Sequence, residues 1–220
     1  MNSEIENSLT ERFSYRFWKR CIDLAVSVLA LVLLVPLLAL IAVVLRLSSV
    51  APVLFRQRRV GQYGRTFWIY KFTTMTASNA AVSDTRWTIS QDDRVTTIGR
   101  ILRPTGLDEL PQLFNVLRGD MSLAGPRPER PYFVEIFRQS IPGYMQRHAA
   151  KPGITGWAQV CGWRGDTSIR KRLEHDLYYL QHWTIWFDLR ILFFTLFGRP
   201  TRTRVDTPSA KRVNTASNSG

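Results

Sequence analysis

Cysteine is scarce in this chain, and its scarcity excludes several kinds of protein. Only Cys21 and Cys161 occur among the 220 residues, and neither belongs to a CxxC motif or a Cys/His motif with metal-ligand spacing. Disulfide scaffolds and zinc-binding modules need several cysteines at short spacings, so the sequence supports neither class. A reducing compartment such as the cytoplasm fits this composition best.

Acidic residues are also few relative to basic ones. The chain has 17 Asp and Glu against 30 Lys and Arg, which gives a formal net charge of +13. This excess predicts an anionic partner, and nucleic acid, acidic lipid headgroups and phosphorylated substrates all qualify. The length and a hydrophobic content of 45% suffice for one domain of ordinary size and a membrane element, but not for a large multidomain enzyme.

Charged residues are absent from residues 24–45, where Leu, Val, Ala and Ile dominate. A helix of this length crosses about 30 Å of hydrocarbon, so the run is predicted to lie in a membrane. It begins too late and runs too long for a cleavable signal peptide, and no small-residue cleavage site follows it. Pro36 lies near its middle, where the missing N–H group and the ring predict a bend or break.

The flanks of this apolar run bear on its path through the membrane. Cytoplasmic flanks of membrane segments are rich in Lys and Arg. Both flanks are basic here, with Arg12, Arg16, Lys19 and Arg20 before the run and Arg46, Arg56, Arg58, Arg59 and Arg65 after it. A re-entrant hairpin that turns at Pro36 satisfies both flanks, and a single spanning helix is the alternative.

Beyond the membrane run, the sequence predicts a β-hairpin followed by a loop. Residues 53–57 and 66–71 are β-prone and flank a glycine-containing loop, which is typical of a hairpin. Residues 73–93 are polar and aperiodic, which predicts a mobile loop. Its charged end, formed by Asp92, Asp93 and Arg94, either lines a site or consists of solvated loop charges.

Two further helices and a tail are predicted in the second half of the chain. Apolar residues at helical spacing indicate an amphipathic helix over residues 107–117 that ends before Gly119. A second helix begins near Ser168, carries basic residues early and becomes rich in aromatic residues towards Phe197, which suits either the headgroup layer or a buried core. Residues 199–220 have almost no large apolar side chains and are predicted to be a disordered basic tail.

Two adjacent carboxylates, Asp108 and Glu109, lie where the predicted amphipathic helix begins. The simplest interpretation is that Asp108 caps the helix, as Asp often does. The position also favours chemistry, since free N–H groups at a helix start attract phosphate and paired carboxylates supply ligands for Mg²⁺. Arg103, about one helical turn upstream, is a candidate phosphate ligand, and the set is suited to phosphoryl transfer.

Arg127 is the second candidate phosphate ligand, and it lies between Pro126 and Pro128. A proline on each side restricts the backbone and gives the guanidinium a defined direction. Arginine binds phosphate through two parallel donors, so this turn is suited to an anionic ligand. The alternative is an arginine on a rigid surface turn.

These stretches together resemble the bacterial sugar transferase family, the monotopic polyprenyl-phosphate phosphoglycosyltransferases that start exopolysaccharide, O-antigen and glycoprotein glycan assembly. The small form of the family, which consists of the catalytic unit alone, is the expected match. The blocks that carry the resemblance follow the family order and cover roughly residues 16–197: KRCID (19–23), PVLFRQ (52–57), YKF (70–72), LDELPQLFN (107–115), RGDMS (118–122), GPRP (125–128) and KPGITGWAQ (151–159).

The resemblance implies an enzyme on the cytoplasmic face of the bacterial inner membrane, with both termini cytoplasmic and a re-entrant helix broken at Pro36. The expected fold class is α+β, predominantly α with a small β-hairpin, and with amphipathic helices lying on the membrane. The expected organisation is an N-terminal segment (1–15), a re-entrant membrane helix hairpin (16–48), a catalytic domain (49–198) and the disordered tail (199–220).

The resemblance also implies roles for single residues. Asp108 is expected to be the nucleophile that attacks a UDP-sugar, forms a phosphosugar-aspartyl intermediate and releases UMP, after which polyprenyl phosphate takes the sugar phosphate. Glu109 is expected to bind Mg²⁺ with Asp108 and to handle a proton. Arg103, Arg127 and Lys71 are expected to contact phosphates. The motif of residues 162–167 looks like the branch that transfers glucose or galactose. A homodimer is one oligomeric state that the resemblance leaves open.

The sequence is also compatible with two other classes of function. The charge of +13 and the many aromatic residues are compatible with a membrane-tethered nucleic-acid-binding protein, although no helix-turn-helix, zinc-finger or RNA-binding motif is present. A non-enzymatic scaffold for glycan assembly, in which Asp108 only caps a helix, is the second alternative.

Overall fold

A single long helix opens the structure, which is a computed structural model describing residues 2–48, 52–76, 84–85 and 94–198. Helix α1 (Asn2–Leu47) covers the predicted N-terminal segment and the apolar run, and Pro36 lies in its interior. Side chains of this helix are described from Tyr15 onward. The helical assignment continues through Pro36, and the break expected there stays a prediction.

Helix α1 packs against the rest of the protein on both sides of Pro36. Before the proline, the polar residues Lys19, Asp23 and Ser27 recur at four-residue spacing and are buried. After it, Ile41 and Leu45 are buried in a cluster with Phe72 and Leu102. Between Val26 and Val44, most of the other side chains of α1 are apolar and exposed. Within the described part of the chain, the segment Tyr15–Leu47 is the one helix long and apolar enough to cross a membrane.

The predicted hairpin is confirmed and is slightly longer than expected. Strands β1 (Leu54–Val60) and β2 (Thr66–Phe72) pair antiparallel, with Gln57 opposite Ile69. A short 3₁₀ turn (Gln62–Gly64) joins them, and both Tyr63 (φ 55°) and Gly64 (φ 78°) adopt the left-handed conformation that closes it.

The region of the carboxylate pair differs from the predicted single helix. Helix α2 (Thr97–Thr105) ends at Gly106 (φ 72°), and a 3₁₀ turn (Leu107–Glu109) carries both carboxylates. Helix α3 (Gln112–Arg118) begins only after Pro111 and ends at Gly119 (φ 88°), where its end was predicted. The predicted start near Asp108 was therefore wrong, because left-handed Gly106 and Pro111 confine the carboxylates to a separate turn.

A parallel pair of three-residue strands lies beneath the Arg127 turn and was not predicted, because segments this short carry no periodic pattern. Strand β3 (Ser122–Ala124) pairs with β4 (Gly153–Thr155), and helix α4 (Pro131–Ser140) and a 3₁₀ segment (Tyr144–Ala149) lie between them in the chain. A Cβ atom on Gly153 would lie 2.2 Å from the Gly125 nitrogen. Glycine is therefore required for this close approach.

The single helix predicted from Ser168 to Phe197 is two helices in the structure. After the short helix α5 (Trp157–Val160), α6 (Ile169–Gln181) and α7 (Ile185–Phe197) follow as separate elements. The Thr184 hydroxyl accepts a hydrogen bond from the Phe187 N–H at 3.1 Å, which caps a new helix and explains the interruption.

The sequence suggested either a buried core or the headgroup layer for this segment, and the two helices differ in their exposure. Helix α6 buries Leu173, Asp176 and Tyr179 and belongs to the core. Helix α7 buries Ile191 but leaves Trp186 81% exposed, together with Leu196 and Phe197. The described residues are mainly helical, which confirms the predominantly α fold class, and they contain the predicted hairpin and one further small sheet. Most of the predicted loop, including Asp92 and Asp93, and the predicted tail lie outside the described residues.

Candidate active site

Asp108 lies in the 3₁₀ turn with 8% of its surface exposed. Its side chain caps neither this turn nor helix α3, and among the described residues it has no hydrogen-bond or ion-pair partner. Burial raises the pKa of its carboxyl, while the positive charge of Lys71 opposes that rise. The structure thus does not support the capping interpretation, and Asp108 is a carboxylate left available for a ligand.

Glu109, the neighbour of Asp108, is held by two cations. The Lys71 ammonium donates to Oε1 at 2.6 Å, and the Arg127 guanidinium donates to Oε1 at 2.5 Å and to Oε2 at 3.1 Å. Burial would raise the pKa of the Glu109 carboxyl, but Arg127 and Lys71 outweigh burial and hold that pKa well below its usual range. Glu109 is therefore ionised and fixes the two cations beside Asp108.

Lys71 reaches this position because helix α3 is fastened to strand β2. The fully buried Asn115 accepts a hydrogen bond from the Tyr70 N–H at 3.1 Å and donates to the Trp68 carbonyl at 2.6 Å. The Asn115 amide thus bonds the backbone on both sides of Ile69. This contact fixes the hairpin next to the 3₁₀ turn, and Lys71 points at Glu109.

Arg127 reaches Glu109 from a turn whose carbonyl groups are all bound. The Pro126 carbonyl accepts from the Gly153 N–H at 3.0 Å. The Arg127 carbonyl accepts from Arg147 at 2.8 Å, and the Pro128 carbonyl accepts from Arg59 at 3.1 Å. The rigidity predicted from the two prolines is thus supplemented by three hydrogen bonds from other elements.

Arg103 lies in the last turn of α2, and its positive charge acts on the Asp108 carboxyl. No ion pair joins its side chain to another described residue. The structure therefore brings together the five predicted site residues of the catalytic domain, which are Asp108, Glu109, Lys71, Arg103 and Arg127. Pro36 lies apart from them in helix α1.

The predicted magnesium ligands differ in how well they fit a metal. Asp108 fits, because no other described side chain forms a hydrogen bond or ion pair with its carboxylate. Glu109 does not fit in this arrangement, because its two oxygens accept from Lys71 and Arg127. Within the described ranges, no cluster of three or more His, Cys, Asp or Glu side chains is arranged to hold a metal. One carboxylate completed by phosphate oxygens and water is a coordination that Mg²⁺ accepts.

The sequence did not reveal a buried ionic network behind Arg127. The Glu129 carboxylate forms ion pairs with Arg59 at 3.1 Å, Arg130 at 3.6 Å and Arg172 at 3.5 Å. Burial would raise the pKa of Glu129, but Arg59 and its neighbours lower it. A second buried pair joins Arg147 to Asp176 at 2.6 Å. The position of Glu129 directly after Pro-Arg-Pro was the one available signal, since two of its three partners, Arg59 and Arg172, are distant in the sequence.

The chain is similar to known proteins over most of its length. The profile of the bacterial sugar transferase family matches residues 14–199. The UDP-glucose:undecaprenyl-phosphate glucose-1-phosphate transferase of Escherichia coli strain K12 is 47% identical over 186 residues, which make up 83% of this chain and 40% of that protein. A UDP-N-acetylgalactosamine-undecaprenyl-phosphate N-acetylgalactosaminephosphotransferase from Aeromonas hydrophila is 46% identical over 184 residues, or 83% of this chain and 43% of that protein.

A relative of similar length also exists. The exopolysaccharide production protein PSS of Rhizobium leguminosarum bv. phaseoli is 42% identical over 191 residues, which cover 84% of this chain and 96% of that protein. The chain thus spans less than half of the two longer relatives but nearly all of the short one.

Proposed function

Because this chain belongs to the bacterial sugar transferase family, we propose that it transfers a sugar-1-phosphate from a UDP-sugar to a polyprenyl phosphate such as undecaprenyl phosphate. This transfer would be the first membrane step of exopolysaccharide, O-antigen or related glycan synthesis. The observation that carries the proposal is the Asp108 carboxylate, which is buried, unpaired among the described residues and subject to the charges of Lys71, Arg103 and Arg127.

The proposed reaction has two steps on Asp108. One carboxylate oxygen attacks the β-phosphorus of the UDP-sugar, an oxygen–phosphorus bond forms, and the phosphoanhydride bond breaks so that UMP leaves with the bridging oxygen. A phosphate oxygen of the lipid then attacks the same phosphorus. The bond to Asp108 breaks, its carboxylate is restored, and the sugar leaves on a polyprenyl diphosphate. The raised pKa of Asp108 supports this role, because a more basic carboxylate is a better nucleophile.

The surrounding cations are proposed to bind the phosphates of the donor. Arg127 presents a guanidinium that suits two phosphate oxygens, Lys71 supplies a point charge, and Arg103 adds charge from the last turn of α2. Their placement near Asp108 stabilises negative charge as it develops on the transferred phosphoryl group. When bound at Asp108, Mg²⁺ would neutralise phosphate oxygens of the donor. Glu109 is proposed to orient Lys71 and Arg127, because its low pKa keeps it ionised and makes it a poor proton carrier.

A re-entrant path for α1 is the membrane topology that we propose. Residues on both sides of Pro36 pack against the same domain: Arg20 donates to the Val116 and Leu117 carbonyls at 2.6 and 2.8 Å, and Leu45 is buried against Phe72. A helix that left the membrane on the opposite side would separate one of these contacts from the domain. The basic flanks and the charge of the lipid phosphate both favour the cytoplasmic face.

Cysteine labelling tests this topology. In a background without the two native cysteines, Arg16→Cys and Ser48→Cys flank the apolar run. A re-entrant helix predicts that both positions react with a membrane-impermeant maleimide only after the inner membrane is opened. Labelling of one position in intact spheroplasts would instead indicate a spanning helix.

The sugar is the least constrained part of the proposal. We propose UDP-glucose or UDP-galactose as donor, because residues 162–167 resemble that branch of the family. The relatives named for glucose and for N-acetylgalactosamine differ by only one percentage point in identity to this chain, so overall similarity does not choose between them. A panel of UDP-sugars with undecaprenyl phosphate, assayed for UMP release, identifies the donor.

Asp108→Asn is the decisive variant for the proposed function. An amide cannot form the aspartyl phosphate, so we expect UMP release to fall by at least about 1,000-fold while the protein still inserts into membranes. Glu135→Gln is the matched control, because Glu135 is exposed on α4, where it pairs with Arg138 at 3.1 Å and accepts a hydrogen bond from Gln139 at 2.8 Å. Full transfer by the Asp108→Asn protein would refute the role of Asp108 as nucleophile. Absence of UMP release from every donor with the unaltered protein would refute the enzymatic function.

A further inference from the structure

Arg147, in the buried network behind the site, makes hydrogen bonds beyond its ion pair with Asp176. Its side chain is 3% exposed and donates to Asp176 Oδ2 through Nε at 2.8 Å, and its Nη2 forms an ion pair with the same oxygen at 2.6 Å. The Tyr144 hydroxyl accepts from Nη1 at 3.1 Å. The Arg127 carbonyl accepts a further bond from Nη2 at 2.8 Å. One buried side chain thus joins helix α6 to the turn that carries Arg127.

The carbonyl of Arg127 is a sensitive point of attachment. Pro126 and Pro128 have no N–H groups, so the backbone on either side of Arg127 cannot be held by its own donors. The turn depends on donors that reach its carbonyls, and the bond from Arg147 is made to the residue whose side chain binds Glu109. A rotation of this peptide would move the Arg127 guanidinium away from both Glu109 and a bound phosphate.

We propose that Arg147, oriented by Asp176, is a positioning residue for Arg127 in the transfer reaction. The inference rests on the proposed function, because it assigns Arg127 to the phosphates of the donor. Arg147 itself is too deeply buried to contact the substrate, and it acts through the Arg127 backbone. The planar guanidinium bonds Asp176 and the Arg127 carbonyl at once, whereas a lysine ammonium lacks this fork.

Two variants separate positioning from folding. Arg147→Lys keeps the charge beside Asp176 but loses the fork. The apolar triple variant Arg147→Met, Asp176→Leu and Tyr144→Phe leaves no buried charge or hydroxyl unpaired, and such replacements of buried ion pairs often preserve stability. For both proteins we expect an unchanged circular dichroism spectrum and a kcat/KM for UDP-sugar that is about 10- to 100-fold lower, the size of effect that small misplacements of catalytic groups cause. Arg138→Lys, in the exposed pair with Glu135, is the matched control and should retain the rate of the unaltered protein.

The coupling to Arg127 is the readout that a structural role would not produce. In an Arg127→Lys background, the triple variant should lower kcat/KM by less than about twofold more, because the group that Arg147 positions is already altered. The triple variant should also raise KM for the UDP-sugar, because a displaced Arg127 no longer holds a donor phosphate. A smaller fraction of folded enzyme would lower kcat and leave KM unchanged.

Two results would overturn the proposal. The first is a triple variant with the rate of the unaltered protein. The second is a triple variant that lowers kcat/KM by the same factor in the Arg127→Lys background as in the unaltered protein. Either result is distinct from failure of the proposed function, which would appear as absence of UMP release by the unaltered protein with every UDP-sugar.

Discussion

Glu109→Gln is the substitution whose consequences follow most directly from the site. The glutamine keeps an acceptor oxygen and the same length but removes the charge that holds Lys71 and Arg127. These two cations are 16% and 28% exposed, so water compensates only part of the loss. Two buried cations would then lie beside each other without their common counter-charge.

The magnitude follows from the geometry. Each contact joins opposite charges whose centres are about 4 Å apart, for which the gross attraction is about 4 kcal/mol at an effective dielectric constant of about 20. Removal of one partner of a buried pair costs about 3–5 kcal/mol of unfolding free energy, because the remaining charges stay desolvated. For a domain of this size, that loss lowers Tm by about 10 °C.

The dependence of this loss on pH gives a second measurement. The folded-state pKa of Glu109 lies well below its ordinary value of 4.5, so its stabilisation is present above that value and is lost as pH falls towards the folded-state pKa. The difference in stability between the unaltered protein and Glu109→Gln should therefore be largest near pH 7 and should shrink below pH 4.5.

The same substitution should alter the nucleophile. The negative charge of Glu109 helps to keep the Asp108 pKa raised, and Lys71 and Arg127 lower it. Without Glu109, the Asp108 pKa falls, so the acid limb of the pH–rate profile moves to lower pH while the maximal rate decreases. Thermal unfolding followed by tryptophan fluorescence and pH-dependent UMP release measure the two effects. A Glu109→Gln protein with unchanged Tm and an unchanged acid limb would refute the reasoning.

Two further substitutions test how the site is held. Asn115→Ala leaves the Tyr70 N–H and the Trp68 carbonyl without their partner. At about 1–3 kcal/mol for each group, the unfolding free energy should fall by about 2–6 kcal/mol, measured by thermal denaturation. Equal stability of the variant would show that water replaces the amide. Gly153→Ala places a Cβ 2.2 Å from the Gly125 nitrogen, so the Arg127 turn should be displaced and UMP release lost. Gly64→Ala in the hairpin turn is its control, because a Cβ there meets only the end of the Met145 side chain at 4.0 Å and incurs the left-handed backbone cost of about 1 kcal/mol.

Much of the fold could be predicted from local patterns. An uncharged run of this length belongs in a membrane whatever follows it, and alternating β-prone residues around glycines specify a hairpin without reference to distant contacts. The interruption between α6 and α7 could not be predicted from such local patterns. Thr184 looks like any threonine in an aromatic segment, and its role as a cap depends on how α6 and α7 pack. The strands β3 and β4 are only three residues long, so their pairing is evident only in space.

Four of the five residues of the site were recognisable as chemical types in sequence, since paired carboxylates and nearby arginines are suited to phosphoryl transfer. Lys71 was predicted only from the resemblance to the family. The different roles of these residues were not evident from the sequence. Folding places Lys71 and Arg127 on Glu109 and leaves Asp108 without a partner among the described residues, which separates an orienting carboxylate from an available one. The cations come from a strand, a turn and a helix, and the buried Arg147–Asp176 pair lies further along the chain. Long-range electrostatics of this kind arises only when the chain is folded, because burial strengthens each charge pair and pairs residues that the sequence keeps apart.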